Sequence, residues 1–194
     1  MNYTPFYQSH LDSNGKVVDF GGWALPVNYG SQIKEHEQVR NDAGMFDVSH
    51  MVVTDIHGVD AKAFFRHLIS NDVAKLDKFG IGKALYSGLL NREAGVIDDL
   101  IVYLMPFGYR LVTNAATEAK DLNWIKQVAA NFKVELFPRR DLAMLAVQGP
   151  NAIKKVIAAH PHMKEKLEQL KPFVAVEDSS YFYARTGYTG ENGL

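Results

Sequence analysis

Between Lys83 and Asn114 three strand-like runs follow one another with almost nothing between them, and this constrains the fold more than any other feature of the chain. "KALYSGLL" and "GVIDDLIVYL" flank the short Gly-containing connection "NREAG", which predicts a hairpin. "MPFG" then turns the chain into a third run, "YRLVTN". On either side lies helical material. Ala61, Phe64, Phe65, Leu68 and Ile69 fall at the i, i+3, i+4, i+7, i+8 spacing of a helix with one buried stripe, and Leu122, Ile125, Val128, Ala129 and Phe132 mark a second helix. With "MVVTDIHG" as a strand before and "KVELF" as a strand after, the order is strand, helix, three strands, helix, strand. Such a stretch, from Met51 to about Phe137, is a compact α+β unit.

After Pro138 the pattern restarts, with "LAMLAVQG" as a strand, helical material from Asn151 to about Leu170, and "FVAVED" and "SYFYARTG" as strands. Upstream, "SQIKEHEQVRNDAG" reads as a helix with Ser31 as its N-cap and Gly44 just past its end. Neither flank has strands enough for a sheet of its own. Residues 1–50 and 138–194 are therefore expected to form one lobe, with 51–137 inserted as a second. The ending "YTGENGL" is a Gly-rich turn that leads into no further element, which suggests a piece of a longer protein.

Composition narrows the function classes. Twenty-one basic and 22 acidic residues, with no run of five or more Lys/Arg, give no electrostatic footprint for nucleic acid or an anionic membrane. The absence of cysteine removes disulfides, thiolate nucleophiles and thiolate metal sites. The start has neither a secretory nor a transit-peptide pattern, and no apolar run approaches the ~20 residues of a membrane helix. The expectation is a soluble, cytosolic protein.

Asp98 and Asp99 stand out because they interrupt an otherwise aliphatic strand. An ionised carboxylate among such neighbours costs several kcal/mol unless something pairs with it. Alternation puts Val96, Asp98, Leu100 and Val102 on one face and Ile97, Asp99, Ile101 and Tyr103 on the other. The two carboxylates are thus expected to diverge, which disfavours a shared-proton dyad made by these neighbours. Asp99, with Tyr103 on its face and Tyr86 on the paired strand, has the composition of a pocket for a flat, hydrogen-bonding ligand.

Other motifs carry less. Asp47, Ser49 and His50 in "FDVSHM" have the residue types of a hydrolase triad, yet an extended chain points His50 away from the other two. The histidines show no HExxH or H-x-H spacing, so no metal site is expected. "FGIGK" reads as an exposed loop and "QGP" as a strand-to-helix turn. In "RTGYTGENG" three glycines around Tyr188 permit close approach of backbone to a ligand or to another strand.

Taken in order and with their spacing, "DFGGWALPVNYGSQIKEHEQVRNDAGMFDVSHM", "KALYSGLLN", "GVIDDLIVY", "QGPNA" and "RTGYTGENG" closely resemble the N-terminal portion of the T-protein family of the glycine cleavage system, the aminomethyltransferases. The resemblance covers essentially the whole chain. It implies a folate-binding α+β fold of two lobes with mainly antiparallel sheets, a folate pocket between them, and no C-terminal domain. It also implies transfer of a one-carbon unit from an aminomethyl-lipoyl carrier protein, the H protein, to tetrahydrofolate with release of ammonia and without a metal. The family's catalytic aspartate falls on Asp99. Its folate contacts fall on Met51, Tyr86, Ile101, Tyr103, Val112, Asn114 and Tyr188, and its carrier-binding lysines on Lys78 and Lys83. The alternative within the same fold is a non-catalytic folate-binding or interaction module, or a folate-dependent demethylase relative.

Overall fold

In the computed structural model, which describes all 194 residues, the chain begins with a short helix α1 (Tyr7–Asp12) and a tight hairpin of β1 (Val17–Phe20) and β2 (Trp23–Pro26). Helix α2 (Gln32–Asn41) follows, started by Ser31, whose hydroxyl accepts from the Lys34 N–H at 3.3 Å. Glu35 reaches back to accept from the backbone N–H groups of Ser31 and Tyr29, so the turn before the helix is tied to its first turn. Then come β3 (Gly44–Asp47), β4 (Val52–His57), α3 (Ala61–Leu68), a 3-10 turn at Val73–Lys78, β5 (Ala84–Leu90), β6 (Val96–Met105), β7 (Gly108–Thr113), α4 (Glu118–Ala129) and β8 (Glu135–Pro138). The chain closes with β9 (Leu145–Gln148), α5 (Ala152–Ala159), α6 (Lys164–Glu168), β10 (Ala175–Glu177) and β11 (Phe182–Ala184). The class is α+β with antiparallel pairing throughout its sheets. No helix is long and apolar enough to cross a membrane.

The chain divides into two compact units, Met1–His50 with Ala143–Leu194, and Met51–Leu142. The second unit is a five-stranded sheet in the order β5-β6-β7-β4-β8. Phe64, Phe65 and Leu68 of α3 and Ile125 and Val128 of α4 close over Ile56, Leu100, Val102 and Leu111 of the sheet. Burial of that apolar stripe, rather than helix propensity, holds such helices in place. The unit ends at Leu142 instead of Phe137 for a physical reason. Past β8 the Arg139 N–H still donates to the Val53 carbonyl, and its guanidinium binds Asp55 of β4 at 2.7 Å.

In the first unit β3 pairs with β9, from Gly44 opposite Gln148 to Asp47 opposite Leu145. Met163, Leu167, Leu170 and Tyr183 form a separate small core beneath β10 and β11. Gly193 lies against β9, where a Cβ would stand 2.1 Å from the Val147 carbonyl oxygen, and Leu194 exchanges two backbone hydrogen bonds with Val147. The close approach permitted by the terminal glycines is thus, at Gly193, an approach to a strand.

Candidate functional site

The sheet of the second unit presents one face to its helices and leaves the other open only around Tyr86 and Asp99, since Val53, Asp55, Tyr103 and Arg110 are buried on it, and alternation along β6 sorts its side chains accordingly. Leu100 and Val102 point into the core, and Asp98 stands on that same side at the end nearest α4. Asp99 and Ile101 are on the open side. Asp99 is exposed, so its charge carries no burial penalty; the half-buried carboxylate is Asp98.

On the open face the pairing places Ile101 between Tyr86 of β5 and Val112 of β7, with Asp99 opposite Gly88. Gly88 lets the Ser70 side chain approach, with its Oγ 3.3 Å from where a Cβ would stand, and Tyr86 leans across to donate its hydroxyl to Asp99 Oδ2 at 2.7 Å. That bond to a carboxylate raises the Tyr86 phenol above its ordinary range. Asn114, just past the end of β7, donates Nδ2 to Asp99 Oδ1 at 3.0 Å. The result is an exposed carboxylate aimed by two donors above an apolar floor of Ile101 and Val112. Tyr103 belongs to the same alternation but is buried, 4% exposed, and paired opposite Ala84 and Arg110; it supports the strand instead of standing as a free wall beside Asp99.

The expected divergence of the two aspartates holds for the backbone and fails for the carboxylates, because Asn114 Nδ2 also donates to Asp98 Oδ1 at 2.9 Å. One amide therefore bridges both acids. Asp98 in addition accepts from the Thr117 hydroxyl at 2.7 Å and has a second carboxyl as neighbour, that of Asp121 on α4. Burial works to raise the Asp98 carboxyl, but the hydrogen bonds from Asp121, Thr117 and Asn114 hold it below the usual range. A carboxyl pair thus exists after all, formed by strand and helix in place of adjacent strand positions. Its signal in the sequence is that Asp121 lies four residues before Ile125 and seven before Val128, on the buried stripe.

The other expected residues are placed as follows. Met51 is half-buried immediately before β4. Lys78 ends the 3-10 turn and is exposed, while Lys83 is half-buried with its ammonium 5.2 Å from the centre of the Phe79 ring. Tyr188 belongs to the first unit, exposed on the glycine loop, with its ring 5.7 Å from that of Phe46. That loop has an anchor the sequence reading missed: the buried Gln148 Oε1 accepts from the N–H groups of Tyr188 and Thr189 and from the Thr189 hydroxyl. "QGP" is therefore more than a turn.

Asp47, Ser49 and His50 form no triad. Asp47 instead accepts from Thr4 and lies 2.9 Å from His10 Nε2, whose Nδ1 meets the Tyr29 hydroxyl at 2.7 Å. Burial opposes ionisation of Asp47, and the bonds from Thr4, His10 and Ser49 outweigh it. His50 packs against Phe20 and Trp23, where burial lowers its pKa.

An α+β chain of two units, one of them carrying a tyrosine- and amide-braced aspartate on an open sheet face, defines a class that the comparisons with known proteins make specific. The solved structure of the glycine cleavage system aminomethyltransferase T from Bartonella henselae matches with a TM-score of 0.87 at 33% identity, covering 99% of this chain and 52% of that one. Residues 6–194 match the model of the GCVT N-terminal domain, and the chain belongs to that family. Among curated relatives, an aminomethyltransferase of Chromobacterium violaceum is 58% identical over 191 residues, 98% of this chain and 52% of the relative. An aminomethyltransferase of Neisseria meningitidis is 56% identical over 195 residues, 98% of this chain and 53% of the relative. The chain thus spans about half the length of the relatives it matches.

Proposed function

We propose that this chain carries the tetrahydrofolate-facing part of a cytoplasmic aminomethyltransferase of the glycine cleavage system. The reaction is transfer of the one-carbon unit from the aminomethyl-lipoyl arm of a carrier protein to tetrahydrofolate, with release of ammonia. The observation that carries the reading is the arrangement at Asp99, an exposed carboxylate held by Tyr86 and Asn114 beside a flat apolar floor. A pterin is a flat ring with donors and acceptors on its edge, and such a floor with a polar rim suits it. The floor and rim are Tyr86, Ile101, Val112 and Asn114, with Met51 of the same unit as a further contact. Lys78 and Lys83, close in sequence on one loop, are assigned to the carrier protein.

Tetrahydrofolate brings its own amine nucleophile, so the protein has to orient two reactants and manage protons as ammonia departs. Asp99 serves both ends: it aligns the folate by hydrogen bonding and assists proton transfer, a contribution of roughly 10²–10⁴-fold. A second reading, a folate-binding module without catalysis, is favoured by the fact that both Asp99 oxygens already accept hydrogen bonds.

A chimera that completes this chain with the second half of a curated relative separates the two. With aminomethylated carrier protein and tetrahydrofolate it is expected to release ammonia, and Asp99→Asn is expected to cut turnover at least tenfold, about 1.4 kcal/mol, with folate affinity changed less. Unchanged turnover in that variant removes Asp99 from the chemistry, and an inactive chimera that still binds tetrahydrofolate favours the module.

A further inference from the structure

Asp121 is wholly buried, and neither of its carboxyl oxygens accepts a hydrogen bond from an N–H or O–H donor within normal geometry. An ionised carboxylate in that state would leave four lone-pair directions unmet away from water, at a large cost. Its surroundings offer a different solution. The group it meets is the Asp98 carboxylate, an acceptor, so a proton on Asp121 makes the contact a hydrogen bond, while its loss leaves two like charges together.

The neighbours of Asp121 can be named from each element around it. From β6 comes Asp98. From the start of α4 come the Thr117 hydroxyl, which donates to Asp98 and also works to ionise Asp121, and Lys120, whose ammonium donates to the Ile97 carbonyl at 2.6 Å and whose charge works more weakly in the same direction. The charged groups of α3, the other element packed on α4, are engaged elsewhere: Lys62 with Asp77, Arg66 with Asp72, and His67 beside the Phe132 ring. Burial first and Asp98 second push the Asp121 carboxyl up to about 6. From this pair the connection to the open face is short, since Asp98 Oδ1 and Asp99 Oδ1 both accept from Asn114 Nδ2.

We propose that Asp121 is a positioning residue for Asp99: held as a carboxylic acid, it donates its proton to Asp98 in a hydrogen bond and thereby fixes the Asn114 amide that the two aspartates share. This rests on the reading of Asp99 as the working carboxylate. When the proton departs to solvent, Asp98 and Asp121 repel, Asp98 moves off its donors, and Asn114 is no longer held between the aspartates. Asp99 then keeps Tyr86 alone.

Carboxyl-¹³C and side-chain amide-¹⁵N NMR of this chain, titrated from pH 4.5 to 8.5, tests the coupling without any activity assay. The Asn114 NH₂ signals and the Asp99 carboxyl are expected to move with one midpoint, shared with Asp121, near pH 6. Asp121→Asn supplies a permanent donor, so the Asn114 signals should stay at their low-pH positions across the range. Asp121→Leu removes the donor and should leave them near their high-pH positions throughout; if that variant does not fold, the pH-independence of Asp121→Asn decides alone. Asn114 signals that ignore the titration of Asp121, or an Asp121 that titrates as an ordinary surface carboxyl, overturn the proposal. Adding tetrahydrofolate to the unaltered chain tests the underlying reading separately: no perturbation at Tyr86 or Asp99 counts against folate at this face, whatever the coupling shows.

Discussion

Asp55 shows what a buried charge in this chain requires. It sits almost fully enclosed in β4, with Arg110 bidentate at 2.7 and 2.9 Å and Arg139 at 2.7 Å. Burial works to raise its carboxyl, and the two guanidinium groups outweigh burial, so its folded pKa is depressed. A depressed carboxyl contributes stability that is present above the unfolded value and lost as pH falls through the folded one. Asp55→Asn should therefore cost about 3 kcal/mol at pH 7, the lower end for breaking a buried pair, and the gap between variant and parent should narrow below about pH 4. Urea unfolding at pH 7 and pH 3 checks this, and an equal gap at both values sinks it. At the same scale, the sequence was informative about Asp98 and Asp99 because charge in an aliphatic strand is conspicuous. Asp121 is easily missed, because a search of α4 for its apolar stripe passes over the one acid lying on that stripe. The sequence was silent about Gln148, whose role depends on a loop forty residues away.

Among the elements, those with strong periodicity were legible: α3, α4 and the strands β5 to β7 lie where alternation and helical spacing put them, since each buries a full face. The short ones were not. Helix α1 and the β1–β2 hairpin are too brief for a period to register, and their formation rests on turn contacts, such as the Gly22 N–H donating to Asp19 at 2.7 Å. Helix α2 was legible from its cap alone, and it buries no residue. Its stability is therefore local, set by Ser31 and the return contact of Glu35. Ser31→Ala should cost about 1 kcal/mol of helix stability, seen as roughly fivefold faster amide exchange in the first turn of α2, with exchange in β4 to β7 unchanged. Faster exchange spread over the whole chain would show instead that α2 is coupled to the rest.

For the molecule as a whole, each unit brings its own chain ends together: in the first Val48 donates to the Met144 carbonyl at 3.0 Å, and in the second Arg139 donates to Val53 at 2.8 Å. Residues 51–142, with their own five-stranded sheet and core, should consequently fold when expressed alone. Residues 1–50 and 143–194 should retain β3–β9 pairing when joined by a linker of roughly four Gly/Ser residues, because closely spaced termini tolerate such surgery. Exchange protection of the strand amides in each piece is the measurement, and an unprotected sheet in either piece contradicts the division. The sequence suggests a break in pattern near Pro138, whereas the edge of the second unit at Leu142 has no sequence signal, since it depends on a backbone bond between Arg139 and Val53. The pairing of Asp47 with Leu145 also has a temporal side. Closing a loop of that length carries an entropic cost that is repaid only after the intervening chain has condensed. On a ribosome the middle of the sequence emerges entire before β9 exists, so it can fold first and draw the waiting N-terminal strand toward its mate. Until then the first fifty residues hold an unpaired β3 edge, which makes the interval before β9 appears the period in which this chain is most exposed to misassociation.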